Sequence, residues 1–113
     1  MGALGDDMDF AVRHQKAMVA LEKIISKVTT EIDHAFRKFP TWPNDPPHAL
    51  AVLGEEYGEL NKAVLQATYE PEKSNPDNVR EQAIQTAAMA LRFLISLDRY
   101  EYQEGEQHPQ VKL

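Results

Sequence analysis

The sequence has no cysteine among its 113 residues, and it has only 5 glycines and 7 prolines. The lack of cysteine excludes disulfide bonds, thiolate metal sites and a cysteine nucleophile. The longest strongly apolar stretch, residues 87–97, contains Arg92 and is far shorter than the roughly 20 residues that cross a bilayer. We therefore expect a protein without thiol chemistry and without a membrane-spanning segment.

Positive charge is also scarce, because 12 Lys and Arg residues stand against 18 Asp and Glu residues, giving a net charge of −6. The basic residues form no cluster, and an acidic surface repels phosphate backbones and anionic lipids. We therefore expect neither a nucleic-acid polymer nor a membrane as partner, whereas bound cations suit the charge. The N-terminus carries two Asp residues and no apolar stretch typical of a secretion signal, so we expect a cytoplasmic protein.

Chain length and an apolar content of 42% predict a single soluble domain spanning residues 1–113. Glycine and proline fall in three places and leave three long stretches between them. Apolar residues recur there every three or four positions, which predicts helices over about 8–39, 48–67 and 75–99. No stretch alternates with a period of two. We predict an all-α bundle of three main helices plus a short C-terminal element, with residues 1–7 and 104–113 flexible.

The first predicted helix carries a coiled-coil-like seam of apolar residues whose gaps alternate between three and four. A helix of about 30 residues is longer than one small core can cover on one side. We therefore predict that the seam packs partly on a second subunit, in a homodimer or homotetramer, and that this helix carries no chemistry. The seam consists of Met18, Leu21, Ile25, Val28, Ile32, Ala35 and Phe39.

The second predicted helix points a carboxylate towards the core. On a helical wheel Glu56 falls inside the apolar arc of this helix and Glu59 lies at its edge. A buried carboxylate is stable only when it is paired or binds a metal, because desolvating the charge costs several kcal/mol. A Glu pair in an acidic protein is also commonly a solvated helix face, so this helix alone leaves both interpretations open. The arc is formed by Leu53, Leu60, Val64 and Ala67.

The third predicted helix is apolar or small around most of its circumference, but four polar residues form one line along it: Glu81, Gln85, Arg92 and Ser96. Such a helix is buried with its polar line facing a polar site. If the line faces the second helix, Glu81 and Gln85 lie near the Glu pair described above. Carboxylate and amide oxygens are hard ligands, which favours Mg²⁺ or Mn²⁺ over Zn²⁺.

Two segments, LGEEYGELNKAV at 53–64 and VREQAIQTAAMALRFL at 79–94, resemble a known family. They are similar to the MazG-like proteins of the all-α NTP pyrophosphatase superfamily, and the resemblance covers about residues 40–97. That family carries the motif EExxE and, after a spacer, ExxD on two facing helices. Here EExxE is present as Glu55, Glu56 and Glu59.

The second half of the motif departs from the family pattern. In one register the expected Glu and Asp correspond to Gln82 and Gln85. In the other they correspond to Glu81 and Ile84, so neither register supplies the Asp. Glu81 with Gln85 is the best substitute. A glutamine binds metal through a neutral carbonyl oxygen, so the site has one formal charge less and should hold Mg²⁺ more weakly.

The resemblance implies Mg²⁺-dependent hydrolysis of a nucleoside triphosphate to a monophosphate and pyrophosphate, with water as the nucleophile. Carboxylates would hold the metal, neutralise phosphate charge through it, and orient or deprotonate the water. The implied metal ligands are Glu56, Glu59, Glu81 and Gln85. The candidate catalytic residues are Glu55, as the water-orienting base, and Glu56; the candidate phosphate contacts are Lys62 and Arg92.

Two candidate substrate contacts have an alternative role. Lys62 lies on the exposed side of its helical wheel, a position typical of solvated surface. Trp42, in a proline-rich loop before the acidic helix, can stack on a nucleobase, since family members use aromatic residues near this position. A tryptophan in such a loop more often closes the edge of the core.

Two other classes of function stay open. A MazG-like relative that has lost catalysis with the missing Asp would bind a nucleotide or a protein partner. In a purely structural oligomerisation module, Glu56 and Glu81 would each form a salt bridge with a basic residue. Divalent cations would then leave the melting temperature of the protein unchanged.

Overall fold

A computed structural model describes residues 2–100, with side chains from Asp7 onward. Helix α1 comprises Gly2–Lys38, α2 Pro46–Tyr69 and α3 Pro76–Ile95, and a 3₁₀ turn follows at Leu97–Arg99. No strand occurs within the described range. The predicted all-α fold of three main helices and a short C-terminal element is confirmed. The C-terminal residues 104–113, predicted to be flexible, lie outside the described residues.

The helix boundaries follow from capping residues. The Asp45 carboxylate caps α2 by accepting the backbone N–H of His48 at 3.1 Å, and prolines occupy the first turn. A hydrogen bond from the His48 side chain lowers the pKa of Asp45. Asn75 caps α3 by accepting the N–H of Asn78 at 2.8 Å. The main difference from prediction is that α1 begins at Gly2 rather than near Met8, since no proline or cap stops the helix from extending.

Helix α3 is central, because α1 and α2 each pack on it rather than on each other. The core has Val28 and Ala35 from α1 against Ala88 and Met89 from α3. Ala88 has no exposed surface, so its small side chain brings the helices close together.

The packed face of α2 is centred differently from the predicted arc. Ala49 and Ala63 are buried, whereas Val64 is 41% exposed. Small residues at the contact let α2 approach α3 closely. The packed face of α2 is therefore centred on the two alanines and not on Val64. Glu56, in register with both alanines, therefore lies near the middle of the packed face.

The N-terminal part of α1 extends beyond the body of the protein. The seam packs on α3 only from Val28 onward, while Met18, Leu21 and Ile25 are exposed. The radius of gyration is 19.1 Å, well above the roughly 13 Å of a compact domain near 100 residues. One chain therefore leaves much of the seam uncovered.

Between residues 2 and 100, no helix combines the length and the apolar character needed to cross a membrane.

Candidate functional site

A cavity of about 750 Å³ lies beside the C-terminal end of α1, where all three helices and the linker between α1 and α2 contribute side chains. Four carboxylates line it: Glu31 from α1, Glu55 and Glu56 from α2, and Glu81 from α3. Six of the eight predicted site residues line this cavity, and they come from the linker, α2 and α3: Trp42, Glu55, Glu56, Glu81, Gln85 and Arg92.

Glu56 carries the strongest electrostatic signal of the site. Its side chain is half-buried, and desolvation raises the pKa of its carboxyl group above the ordinary value. The negative charges of Glu59, Glu55 and Glu31 raise it further. The main chain of Glu56 is tied to α3, because the Thr86 hydroxyl lies 3.1 Å from its carbonyl oxygen. The fold thus holds this carboxyl group in an unfavourable negative field.

The oxygen donors of the cavity fit a hard divalent cation in chemical type. Carboxylates from three helices and the amide oxygen of Gln85 are available, and the sequence has no cysteine to supply a thiolate. In the described part of the chain, however, no three acidic or histidine side chains stand close enough together to hold an ion. The donors therefore share one cavity but are spread around its wall.

In each of the two possible registers of the second motif, one residue lines the cavity and the other does not. Glu81 and Gln85 line it, whereas Ile84 and Gln82 do not. Gln82 is half-buried, and its Oε1 has no hydrogen-bond partner among residues 2–100. The pair at i and i+4 is thus the one that faces the carboxylates of α2.

Two predicted site residues lie outside the cavity wall. Glu59 is exposed and acts on the site through its charge beside Glu56. Lys62 is exposed one turn further along α2, as its position on the wheel indicates. Gly54 and Gly58 also belong to this part of α2, and a Cβ atom at either would meet nothing within 4 Å.

Arg92 is the one charged side chain that is buried among residues 7–100, with 2% of its surface exposed. Its Nη2 donates to the carbonyl oxygen of Phe39 at 2.6 Å and lies 3.5 Å from that of Thr41. Its Nη1 lies 3.4 Å from the carbonyl oxygen of Ala35. Arg92 therefore caps the carbonyl end of α1 from the neighbouring helix.

Two aromatic rings enclose the same guanidinium. Its central carbon lies 4.4 Å from the ring centre of Phe36 and 4.8 Å from that of Trp42. These contacts and the carbonyl acceptors offset the desolvation that lowers the pKa of Arg92. The predicted phosphate contact is thus engaged with the protein itself through both terminal nitrogens.

Trp42 closes one edge of the core and also forms part of the cavity wall. Its indole N–H donates to the Tyr100 hydroxyl at 2.8 Å, and that hydroxyl lies 3.2 Å from the carbonyl oxygen of Phe93. The ring packs against the core cluster and is half-buried. Both predicted roles of Trp42, core closure and contact with a ligand, are compatible with this position.

The prediction that α1 carries no chemistry misses three residues of the cavity wall. Glu31, His34 and Lys38 follow one another at gaps of three and four along α1. They lie next to the apolar seam positions Ile32 and Ala35. The same spacing that identifies the apolar seam therefore places a polar line of residues beside it. This polar line is the sequence pattern that could have predicted the cavity residues of α1.

Comparison of the chain with known protein families, with characterised proteins and with solved structures finds no match. The chemistry of the cavity is therefore the basis for assigning a function to the protein.

Replacing Arg92 with methionine tests its capping role. Arg92→Met removes the donors to the carbonyl oxygens of Phe39 and Thr41, just after α1, so we expect the free energy of unfolding to fall by about 2–4 kcal/mol. Urea denaturation measures the change. Arg80→Met is the matched control, because Arg80 is exposed and its ion pair among residues 7–100 is with exposed Asp77; we expect a loss within about 0.5 kcal/mol. Equal losses in the two variants would contradict the capping role.

Replacing Glu56 with glutamine tests the electrostatic signal. A carboxyl group with a raised pKa in the folded state destabilises the fold once it is ionised, so its cost is present at neutral pH and disappears as pH falls. In chelator and without divalent cations, we expect Glu56→Gln to melt above the wild type at about pH 7 and close to it at about pH 4. Glu22→Gln, on the exposed part of α1, should change the melting temperature little at either pH. A lower melting temperature for Glu56→Gln at neutral pH would refute this interpretation.

Proposed function

We propose that the protein is a Mg²⁺-dependent nucleoside triphosphate pyrophosphohydrolase of the MazG-like kind, which removes unwanted nucleotides from the cytoplasmic pool. The observation that carries the proposal is the shared cavity: acidic residues of α2 and the Glu81–Gln85 pair of α3 line one volume. Neighbouring carboxylates raise the pKa of Glu56 in that volume. Unpaired negative charge of this kind favours a bound cation.

The metal-binding group of this proposal consists of Glu56, Glu81 and Gln85. Their oxygens match Mg²⁺ or Mn²⁺, and drawing them together around an ion would relieve the repulsion that acts on Glu56. A bound divalent cation supplies charge neutralisation for the phosphate oxygens. Glu59, exposed beside Glu56, increases the negative potential and is the remaining candidate ligand from the EExxE segment.

Glu55 is the residue we assign to the attacking water. It lines the cavity on α2 next to Glu56 and is exposed, so its carboxylate is reachable by solvent. As a general base it orients the water and accepts its proton while the water oxygen bonds to the α-phosphorus. The bond from the α-phosphorus to the oxygen that bridges the α and β phosphates breaks, and pyrophosphate leaves.

The size and wall of the cavity suit a nucleotide. A volume of about 750 Å³ lies within the roughly 300–1,000 Å³ of ligand pockets. Trp42 supplies an aromatic wall, held in place by its hydrogen bond to Tyr100. We propose that a nucleobase packs against this wall.

The uncovered seam of α1 supports a homo-oligomer. Met18, Leu21 and Ile25 continue the seam that packs on α3 within one chain, so a second copy would extend an interface already in use. Such a contact between identical faces is self-complementary and gives a symmetric dimer, or a tetramer built as a dimer of dimers. We propose that a second copy of the chain covers this face.

The first experiment on function is turnover. Pure protein is incubated with canonical and modified NTPs and dNTPs plus Mg²⁺ or Mn²⁺, and pyrophosphate release is measured. We expect release that falls at least about 100-fold in Glu56→Ala, because this change removes a central metal ligand. Glu22→Ala should retain full activity.

If the folded wild type released no pyrophosphate from any nucleotide of the panel, the enzymatic proposal would be overturned. In that case a rise in melting temperature with nucleotide and Mg²⁺ would favour a binding protein that has lost catalysis. An unchanged melting temperature would favour a structural module.

The oligomeric state is tested at the seam. Ile25→Glu places a charge within the exposed part of the seam, so we expect a shift towards monomer in light scattering coupled to gel filtration. Ala20→Glu adds the same charge on an exposed position about 140° away on the wheel and should leave the mass unchanged. A monomeric wild type would contradict this use of the seam. So would an Ile25→Glu variant that keeps the same oligomeric mass as the wild type and Ala20→Glu.

A further inference from the structure

The basic side chains of the cavity wall differ in their freedom to bind a ligand. They are His34 and Lys38 from α1 and Arg92 from α3. Both terminal nitrogens of Arg92 face carbonyl oxygens of α1 and the linker, and the rings of Phe36 and Trp42 pack against its guanidinium. Turning Arg92 towards a ligand would uncap α1. The positive charge that is free to reach a ligand therefore comes from α1.

Lys38 has this freedom. Within the described part of the chain it forms no ion pair and no side-chain hydrogen bond, and its Nζ lies 5.4 Å from the ring centre of exposed Phe39. Its place in the last turn of α1 brings it to the same end of the cavity as Arg92 and Trp42. Lys62, the other candidate cation, lies on α2 outside the cavity.

The Nε–H of Arg92 does not serve an anion at this end either. Its Nε is buried and has no acceptor among residues 2–100, although the side chain lines the cavity. Because this nitrogen has almost no accessible surface, a ligand oxygen could reach it only if the side chain moved. The carboxylates on the other helices repel an anion, so a phosphate chain needs a positive group of the protein in addition to any metal.

We propose that Lys38 binds the phosphate chain of the ligand at the end of the cavity that Arg92 and Trp42 also line. This inference rests on the proposed function and deepens it, because it assigns the phosphate contact to α1 rather than to Lys62. Lysine binds phosphate as a mobile point charge, which suits a side chain at a helix end.

The test uses Mg²⁺ with imidodiphosphate, a non-hydrolysable pyrophosphate analogue that carries no base. Calorimetry on the full chain measures its affinity for the wild type and for Lys38→Met, Lys38→Arg and Lys62→Met. We expect Lys38→Met to weaken binding roughly 10-fold or more and to reduce the dependence of binding on salt. Lys38→Arg should retain most of the affinity, and Lys62→Met should match the wild type.

Binding by the wild type with equal affinity in Lys38→Met would overturn the inference, and so would a wild type that does not bind the analogue at all. The turnover panel judges the proposed function separately. If the wild type turns over nucleotides and Lys38→Met binds the analogue normally, the enzymatic proposal holds and only the assignment of Lys38 is wrong. If no nucleotide is turned over, the enzymatic proposal is wrong, but loss of analogue binding in Lys38→Met would still identify Lys38 as the phosphate contact.

Discussion

The guanidinium of Arg92 joins the end of α1 to α3 and fixes the linker that follows. Three carbonyl oxygens and two aromatic rings surround it, so a charge that would be costly in an apolar core is satisfied without any carboxylate partner. Because the same contacts hold Trp42 in place, they also set one wall of the cavity. The site and the junction of the helices therefore depend on a single side chain.

The opposite side of the cavity has the reverse electrostatic character. Carboxylates from three helices face a common volume, and the pKa of Glu56 is raised first by desolvation and further by the charges of Glu59, Glu55 and Glu31. A fold that served stability alone would place a neutral or apolar residue at this position in the middle of the α2 packing face. The retained charge is the physical reason to treat the cavity as a binding site.

The sequence predicts what depends on helical periodicity, and the structure adds what depends on the direction of single side chains. The period of 3.6 residues places Glu56, Glu81 and Gln85 on facing sides, and they line one cavity. The polar line of α1 is missed because the apolar seam beside it dominates the pattern. The direction of Arg92 is equally invisible, because its acceptors are main-chain carbonyls whose position exists only once the linker has folded.

Gly54 and Gly58 bracket the carboxylates of α2, and neither glycine makes room for a neighbouring atom. Each lowers helix stability by about 1 kcal/mol relative to alanine. The turn that carries Glu55 and Glu56 is consequently less stable than the same turn with alanine would be. A smaller free-energy cost of local opening there would let these carboxylates move towards a ligand while the rest of the helix keeps its packing.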